Sequence, residues 1–212
     1  ADVNRFINEK ADKEKVLKYS KRISRAVQEQ SEIPIENIEG LRKEKIYFPR
    51  DYEGECEHIN NLDHVDLSTG EWGILTRTIN RLVAMQNELK ERNLYFQNNK
   101  TKSFKKRLYE AHVNYNSWLR GKILDEKETK DIEEYIGKPM EDWDPDLDWF
   151  DAFKEVEYED KDYIKQMLDN GEDLDSPARI FVSTIHAFKG GEKNNIILCL
   201  DQPNKIKKEI KK

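Results

Sequence analysis

The sequence predicts an α/β fold in which a parallel sheet is interrupted by an all-helical insertion. The three strongest strand candidates, in chain order, are residues 72–77 (WGILTR), 179–184 (RIFVST) and 195–200 (NIILCL). An amphipathic helix pattern follows the first run, and a long stretch without any strand pattern separates the first run from the second. Strands that alternate with helices are typical of a parallel sheet.

The first strand candidate and the pattern after it form a strand–helix–strand unit. In the helix predicted at residues 80–92, Leu82, Met85 and Leu89 are spaced i, i+3, i+7, with charged residues between them. This spacing places the three apolar side chains on one helix face. The short run at residues 94–97 (LYFQ) then supplies the second strand of the unit.

The last strand candidate differs from the first in being continuously apolar. A continuous run of this kind is typical of a parallel strand that is covered on both faces. Two further segments, residues 16–19 and 45–48, are weaker strand candidates.

The middle of the chain, residues 98–175, has helical spacing of its apolar residues and no strand pattern. The predicted helices lie at residues 102–118, 129–136, 147–156 and 162–168. The aromatic residues expected to form this segment's own small core are Trp143, Trp149, Phe150 and Phe153. The predicted organisation is therefore a sheet domain at residues 1–97 and 176–212, with a helical insertion at 98–175.

Composition limits the function classes. The 212 residues are 38% charged and carry a net charge of −6, which does not indicate a free-standing nucleic-acid-binding domain. The charges are uneven, however: residues 98–124 hold seven Lys/Arg and one acidic residue, whereas residues 125–175 hold six Lys/Arg and 21 acidic residues. This division predicts one face that tolerates phosphates and one that repels them. The two cysteines have no metal or disulfide spacing, and without a signal peptide or membrane span the cytoplasm is the expected location.

Residues 183–192 (STIHAFKGGE) carry the strongest chemical signal, because they leave the carboxyl end of a predicted strand. Ligands of open α/β sheets bind at such ends. Gly190 and Gly191 allow a tight turn and a close approach of the backbone to a ligand. The side chains able to contact phosphate or ribose here are those of Thr184, His186, Lys189 and Glu192.

This segment, followed by NNIILCL, resembles motif V of the UvrD/Rep-type superfamily 1 DNA helicases. That motif reads roughly Thr-x-His-x-x-Lys-Gly-x-Glu before an apolar strand. The resemblance implies that His186 and Lys189 lie against single-stranded DNA, and we assign the Thr184 hydroxyl to the same contact. Family members often have Leu where this chain has Gly191.

A second match is residues 72–82 (WGILTRTINRL), which are similar to the family's strand that runs into Arg-Thr-Asn and an amphipathic helix. The match implies DNA contacts for Arg77 and Thr78. The family's Asn falls at Ile79, so that Asn80, one position later, is only a weak candidate.

Nucleotide contacts are implied at two places. Residues 18–27 (KYSKRISRAV) resemble the segment after motif III, where an arginine reaches the γ-phosphate and a tyrosine stacks on adenine. Arg22 takes the arginine position and Tyr19 is a weak candidate for stacking, although the segment is equally well explained as a basic helix start. Within motif V, Gly190 and Glu192 belong to the nucleotide site, with the carboxylate at the sugar.

Taken over nearly the whole chain, the resemblance implies a RecA-like fold of the P-loop NTPase type with an accessory insertion, as in compact phage-type relatives. It predicts the C-terminal part of an ATP-dependent helicase that travels 3′ to 5′ on DNA. ATP and Mg²⁺ would bind in the intact parent, between this domain and an N-terminal RecA-like domain. The 212 residues contain no Gly-x4-Gly-Lys-Ser/Thr loop, no magnesium-binding Asp-Glu pair and no motif VI, so we expect neither hydrolysis by the chain alone nor a metal site in it. The alternative is a non-catalytic interaction module on a degenerate helicase scaffold.

Overall fold

The structure, a computed structural model, describes residues 19–20, 22–36 and 48–200, with only the backbone described at 34–36. The chain divides into two compact units, Ala1–Val65 and Asp66–Lys212. Most of the two weaker strand candidates, residues 16–19 and 45–48, lies outside the described residues. Their described ends, Tyr19 and Phe48, form an isolated parallel bridge.

The described part of the first unit contains helix α1 (Arg25–Glu36) and a 3₁₀ turn (Leu62–His64). The first N–H groups of a helix have no partner inside the helix. Here the backbone N–H groups of Arg25 and Ala26 donate to the carbonyls of Tyr52 and Glu53, at 3.0 and 2.9 Å. The start of α1 is therefore fixed by the chain segment that runs beside it.

The second unit is built on a four-stranded parallel sheet. Its strands are β1 (Trp72–Thr76), β2 (Phe96–Gln97), β3 (Ile180–Thr184) and β4 (Asn195–Leu198), and their order across the sheet is β2-β3-β1-β4. All three pairings are parallel. The predicted parallel sheet of three runs is therefore confirmed, and 94–97 adds a short fourth strand.

Helix α2 (Ile79–Glu91) connects β1 to β2 and packs on the two central strands. Its residues Met85 and Leu89 are buried, as are Ile74 of β1 and Val182 of β3. Every residue of the central strands β1 and β3 is buried or half-buried.

Strand β4 departs from the expectation of a strand covered on both faces. Within the described residues it is an edge strand, and its exposure alternates along the chain. Ile196 and Leu198 are 46% and 48% exposed. A continuous apolar run predicts a strand, but it does not predict whether other elements cover that strand.

The segment between β2 and β3 is helical, as predicted. Its helices are α3 (Lys106–Leu119), α4 (Glu126–Ile136), α5 (Trp149–Ala152) and α6 (Tyr158–Asp169), with a 3₁₀ turn at Met140–Asp142. Its core includes Trp143, Trp149 and Phe153, as predicted, while Phe150 is half-buried against it. No helix within the described ranges is long and apolar enough to span a membrane.

One predicted helix, residues 147–156, is much shorter in the structure, where α5 has only one turn. The backbone N–H of Glu155 donates to the carbonyl of Tyr135 at 3.0 Å, which pulls the chain out of the helical path. The ammonium group of the buried Lys161 donates to the carbonyls of Phe150 and Phe153, at 2.7 and 3.0 Å. A tertiary contact of this kind leaves no periodic signal in the sequence.

The helical segment and the sheet are joined where the chain leaves β2 and where it returns to β3. The Tyr95 hydroxyl donates to the carbonyl of Ser176 at 2.8 Å, and the Lys102 ammonium donates to the carbonyls of Leu174 to Ser176. The Tyr163 hydroxyl, on α6, donates to the carbonyl of Leu94 at 2.7 Å. The entry and exit of the helical segment are thus held together by hydrogen bonds as well as by a shared apolar core.

Candidate nucleic-acid interface

The two central strands end side by side. Thr76 of β1 is the register partner of Thr184 of β3, and both residues are the last of their strands. The backbone N–H of Ile185 donates to the carbonyl of Thr76 at 2.9 Å, which continues the pairing one step past the strand. The chain after β1 and the chain after β3 therefore leave the sheet at the same carboxyl edge.

The exit from β1 is fixed by two threonines. The buried Thr76 hydroxyl donates to the carbonyl of Thr78 at 3.1 Å, and the Thr78 hydroxyl accepts from the backbone N–H of Arg81 at 3.3 Å. Thr78 is thus the N-cap of α2, a role that Thr performs well. Between the two threonines Arg77 is exposed, and Asn80 is exposed in the first turn of the helix.

The exit from β3 is a compact turn at residues 185–190. The backbone N–H of Phe188 donates to the Thr184 carbonyl at 3.0 Å, and that of Ala187 donates to the Thr184 hydroxyl at 3.3 Å. A hydroxyl that accepts one hydrogen bond still has a proton to donate. His186 and Lys189 are both exposed on this turn.

The two glycines after the turn have separate roles. Gly190 has a φ of +85°, in the left-handed region that other residues rarely adopt. At Gly191 a Cβ atom would lie 2.7 Å from the ring of Phe188, which packs against Phe181 with ring centroids 5.6 Å apart. Gly191, where the helicase family often has Leu, therefore leaves the space that the Phe188 ring occupies.

Glu192 is separated from the carboxyl edge by the course of the chain. After the turn the chain runs back toward the start of β4, where Asn195 pairs with Trp72, the first residue of β1. The neighbouring Lys193 forms an ion pair with Glu71 at 3.4 Å, before the start of β1. Glu192 is exposed on this return stretch, and the structure does not bring it to the threonines at the end of the strands.

Tyr19 and Arg22, the other predicted nucleotide contacts, belong to the first unit. The Tyr19 ring is largely exposed and lies 5.3 Å from the Phe48 ring, centroid to centroid. The Ser20 hydroxyl accepts from the backbone N–H of Arg22 at 3.2 Å, which starts the turn that leads into α1. In the sequence, Phe48 is marked only by its apolar character at the end of a weak strand candidate.

The cations of the predicted basic segment are largely neutralised by acidic residues of the same helical segment. The ion pairs are Lys105–Asp160 (2.5 Å), Lys106–Glu110 (2.9 Å), Arg107–Asp131 (2.7 Å), Arg107–Glu134 (2.6 Å) and Lys122–Glu128 (2.8 Å). These residues therefore do not form two separate faces, one basic and one acidic. Most of these cations therefore pair with acidic residues of neighbouring elements instead of adding to a basic surface.

The residues with clearly shifted pKa values lie away from the carboxyl edge. Burial lowers the pKa of His112 on α3 to about 4 and raises the pKa of Tyr95 to about 12. Within the described part of the chain, no group of three or more His, Cys, Asp or Glu side chains could hold a metal ion. The carboxyl edge offers exposed cations, hydroxyls and backbone turns, which are the groups that bind phosphate and sugar.

Comparison of the chain with protein-family models, with curated proteins and with solved structures gave no match.

Proposed function

We propose that this chain supplies the second RecA-like half of an ATP-dependent DNA helicase of the UvrD/Rep type. The single observation that carries the proposal is the meeting of two helicase-like segments at one sheet edge. Arg77 and Thr78 follow β1, Thr184 ends β3, His186 and Lys189 follow it, and the two strands pair directly. These segments are far apart in sequence, and the direct pairing of β1 with β3 puts their strand ends next to each other.

In this proposal the edge binds the sugar–phosphate backbone of one DNA strand. Arg77, His186 and Lys189 contribute cations or hydrogen-bond donors, and the hydroxyls of Thr78 and Thr184 contribute further donors. Contacts of this type fix the position of a strand without reading its sequence. A translocating motor needs contacts of this kind, because it must accept every sequence that it passes.

ATP would bind in the cleft between this domain and an N-terminal RecA-like partner, whose P-loop and Mg²⁺ hold the β- and γ-phosphates. The resemblance assigns Arg22 to the γ-phosphate and Tyr19 to the adenine, both in the first unit, and it separately assigns Gly190 and Glu192, in the second unit, to the nucleotide's sugar side. Arginine suits this role because its planar guanidinium pairs with phosphate oxygens. Opening and closing of the cleft would move the pair along DNA, in the 3′ to 5′ direction that the resemblance implies.

The second candidate is a non-catalytic interaction module on a helicase-like scaffold. It is favoured by one observation, the internal pairing of the helical segment's cations, which leaves the surface of that segment acidic. An acidic surface suits a basic protein partner better than a nucleic acid.

A reconstitution experiment distinguishes the two candidates. The chain is combined with an N-terminal RecA-like half that carries a P-loop and with a C-terminal segment that carries motif VI, and ATP hydrolysis is measured with and without single-stranded DNA. We expect hydrolysis that depends on DNA. We also expect Lys189→Ala to reduce the slope of log affinity against log salt by about one, because one phosphate contact is lost.

Lys127→Ala provides the matched control, because Lys127 is an exposed lysine of α4 in the helical segment. It should leave both the hydrolysis and the salt slope unchanged. Full DNA stimulation in both Lys189→Ala and His186→Ala would count against the helicase assignment. No stimulation in the unmodified reconstituted protein would favour the interaction module.

A further inference from the structure

Two isoleucines are exposed at the same carboxyl edge. Ile79, the first residue of α2, is 70% exposed, and Ile185, the first residue after β3, is 42% exposed. Ile79 directly follows Thr78, and Ile185 directly follows Thr184. The hydroxyl of each threonine accepts a hydrogen bond from a backbone N–H three residues later. The pairing of Thr76 with Thr184 brings the two strand ends together.

Single exposed apolar side chains are normal on protein surfaces. These two differ because they lie near the exposed cations of the edge in the chain: Ile79 is two residues from Arg77, and Ile185 is on the same turn as Lys189. Val83, one helical turn after Ile79, is also exposed, so that the apolar surface continues along α2. The edge therefore presents apolar carbon next to positive charge.

Single-stranded nucleic acid has the complementary chemistry. Its backbone is anionic, and its unpaired bases expose apolar faces that a duplex keeps inside its stack. Proteins that bind single strands combine cations along the backbone with apolar or aromatic platforms for the bases. We propose that Ile79 and Ile185 contact the base faces of a single strand whose phosphates lie against the cations of this edge. This inference rests on the proposed function and adds to it the residues that select a single strand.

The proposal separates two kinds of contact by their dependence on salt and on the bases. Cation–phosphate contacts weaken steeply with salt, because binding releases counterions. Apolar contacts with bases are nearly independent of salt, but they vanish when the bases are removed. An oligothymidylate and an abasic oligonucleotide of equal length, roughly 12 nucleotides in keeping with the site sizes of single-strand binders, have the same phosphates and differ only in their bases.

The test measures fluorescence anisotropy of the 212-residue chain with both oligonucleotides over a range of salt. The variants are Ile79→Thr, Ile185→Thr and, as the matched control, Ile123→Thr. Ile123 is 92% exposed in the loop between α3 and α4, so that the control removes the same apolar surface elsewhere. Ile79→Ala is a second variant at the helix start, and circular dichroism checks that each variant folds.

We expect the parent to prefer oligothymidylate over the abasic oligonucleotide. Ile79→Thr and Ile185→Thr should each reduce that preference by about threefold to tenfold, given the small apolar area that each isoleucine can bury, with an unchanged salt slope. Lys189→Ala should show the opposite pattern, with a smaller salt slope and the base preference kept.

Two results would overturn the inference while leaving the proposed function in place. In one, the isoleucine variants bind both oligonucleotides as the parent does, which would indicate that a protein partner covers these side chains instead. In the other, they lose the same affinity for both oligonucleotides, which would mean that no base is contacted. A parent chain that binds neither oligonucleotide at low salt contradicts the proposed function itself, and the inference with it.

Discussion

His112 makes the stability of the helical segment dependent on pH. Its side chain is buried on α3, with its ring 4.4 Å from the Trp149 ring, centroid to centroid. Its Nδ1 atom is buried and has no hydrogen-bond partner among the described residues. Burial lowers the pKa of the imidazole from its ordinary value of 6.5 to about 4, while the nearby charge of Asp148 opposes the shift.

The sign follows from which state takes up the proton. As the pH falls below 6.5 the unfolded chain binds a proton at His112, whereas the folded chain does so only near pH 4. The unfolded state therefore gains stability over this window, and the folded segment loses it. The full effect is about 3 kcal/mol, since one pKa unit corresponds to about 1.4 kcal/mol. About two-thirds of that loss falls above pH 5 by the same relation.

Urea unfolding, followed by tryptophan fluorescence at several pH values, measures this term. The difference in the free energy of unfolding between His112→Phe and the parent should grow in favour of the variant as the pH falls from 7.5 to 5. His112→Gln removes the same titration with a polar side chain, and His64→Gln, at an exposed histidine, is the control that should follow the parent. Parallel pH profiles for the parent and both His112 variants would refute the reasoning.

Three further predictions concern the helical segment, the turn after β3 and the chemistry of the isolated chain. Lys161→Met should destabilise the helical segment by about 2 kcal/mol, because it leaves two backbone carbonyls without their donor; Lys165→Met, at an exposed lysine of the same helix, should change little when both are compared by urea unfolding. Gly191→Leu should lower the stability of the second unit by about 1–3 kcal/mol, since a Cβ there meets the Phe188 ring; thermal unfolding checks this, and an unchanged midpoint would contradict the packing described. The purified chain alone should hydrolyse no ATP in a magnesium-containing phosphate-release assay, since it contains no P-loop sequence, and sustained hydrolysis would overturn the proposed function.

The sheet was predictable from the sequence because its strands are short apolar runs separated by turns and helices. The carboxyl-edge rule for open α/β sheets pointed to the segment after β3, the resemblance pointed to the residues after β1, and the pairing of Thr76 with Thr184 brings those strand ends together. The exposed side of β4 was not predictable, because a run of apolar residues is the same whether or not a neighbour covers it. The early end of α5 coincides with the hydrogen bonds from the Lys161 ammonium to the carbonyls of Phe150 and Phe153. The spacing of apolar residues in the sequence does not reveal such contacts.

Two further features could not be predicted from the sequence. Glu192 lies only three residues after Lys189 in the sequence, but the chain there is already running back toward Asn195, which pairs with the first residue of β1. The charge count of residues 98–124 predicts a basic face, whereas in the structure Arg107 and Lys122 pair with acidic side chains of α4. Counting charges along a chain does not reveal which of them face each other.

The distribution of charge explains how a chain with a net charge of −6 could bind a nucleic acid. Screening limits the reach of a surface charge to about 8 Å at physiological ionic strength. A strand bound at the carboxyl edge should therefore respond mainly to charges within that distance of it, such as those of Arg77 and Lys189. Removal of one negative charge in the helical segment, as in Glu126→Gln at an exposed position of α4, should change single-strand affinity far less than Lys189→Ala does. Changes in affinity of equal size for Glu126→Gln and Lys189→Ala at physiological salt would show that binding follows the net charge of the chain. That result would contradict the assignment of the binding site to the carboxyl edge.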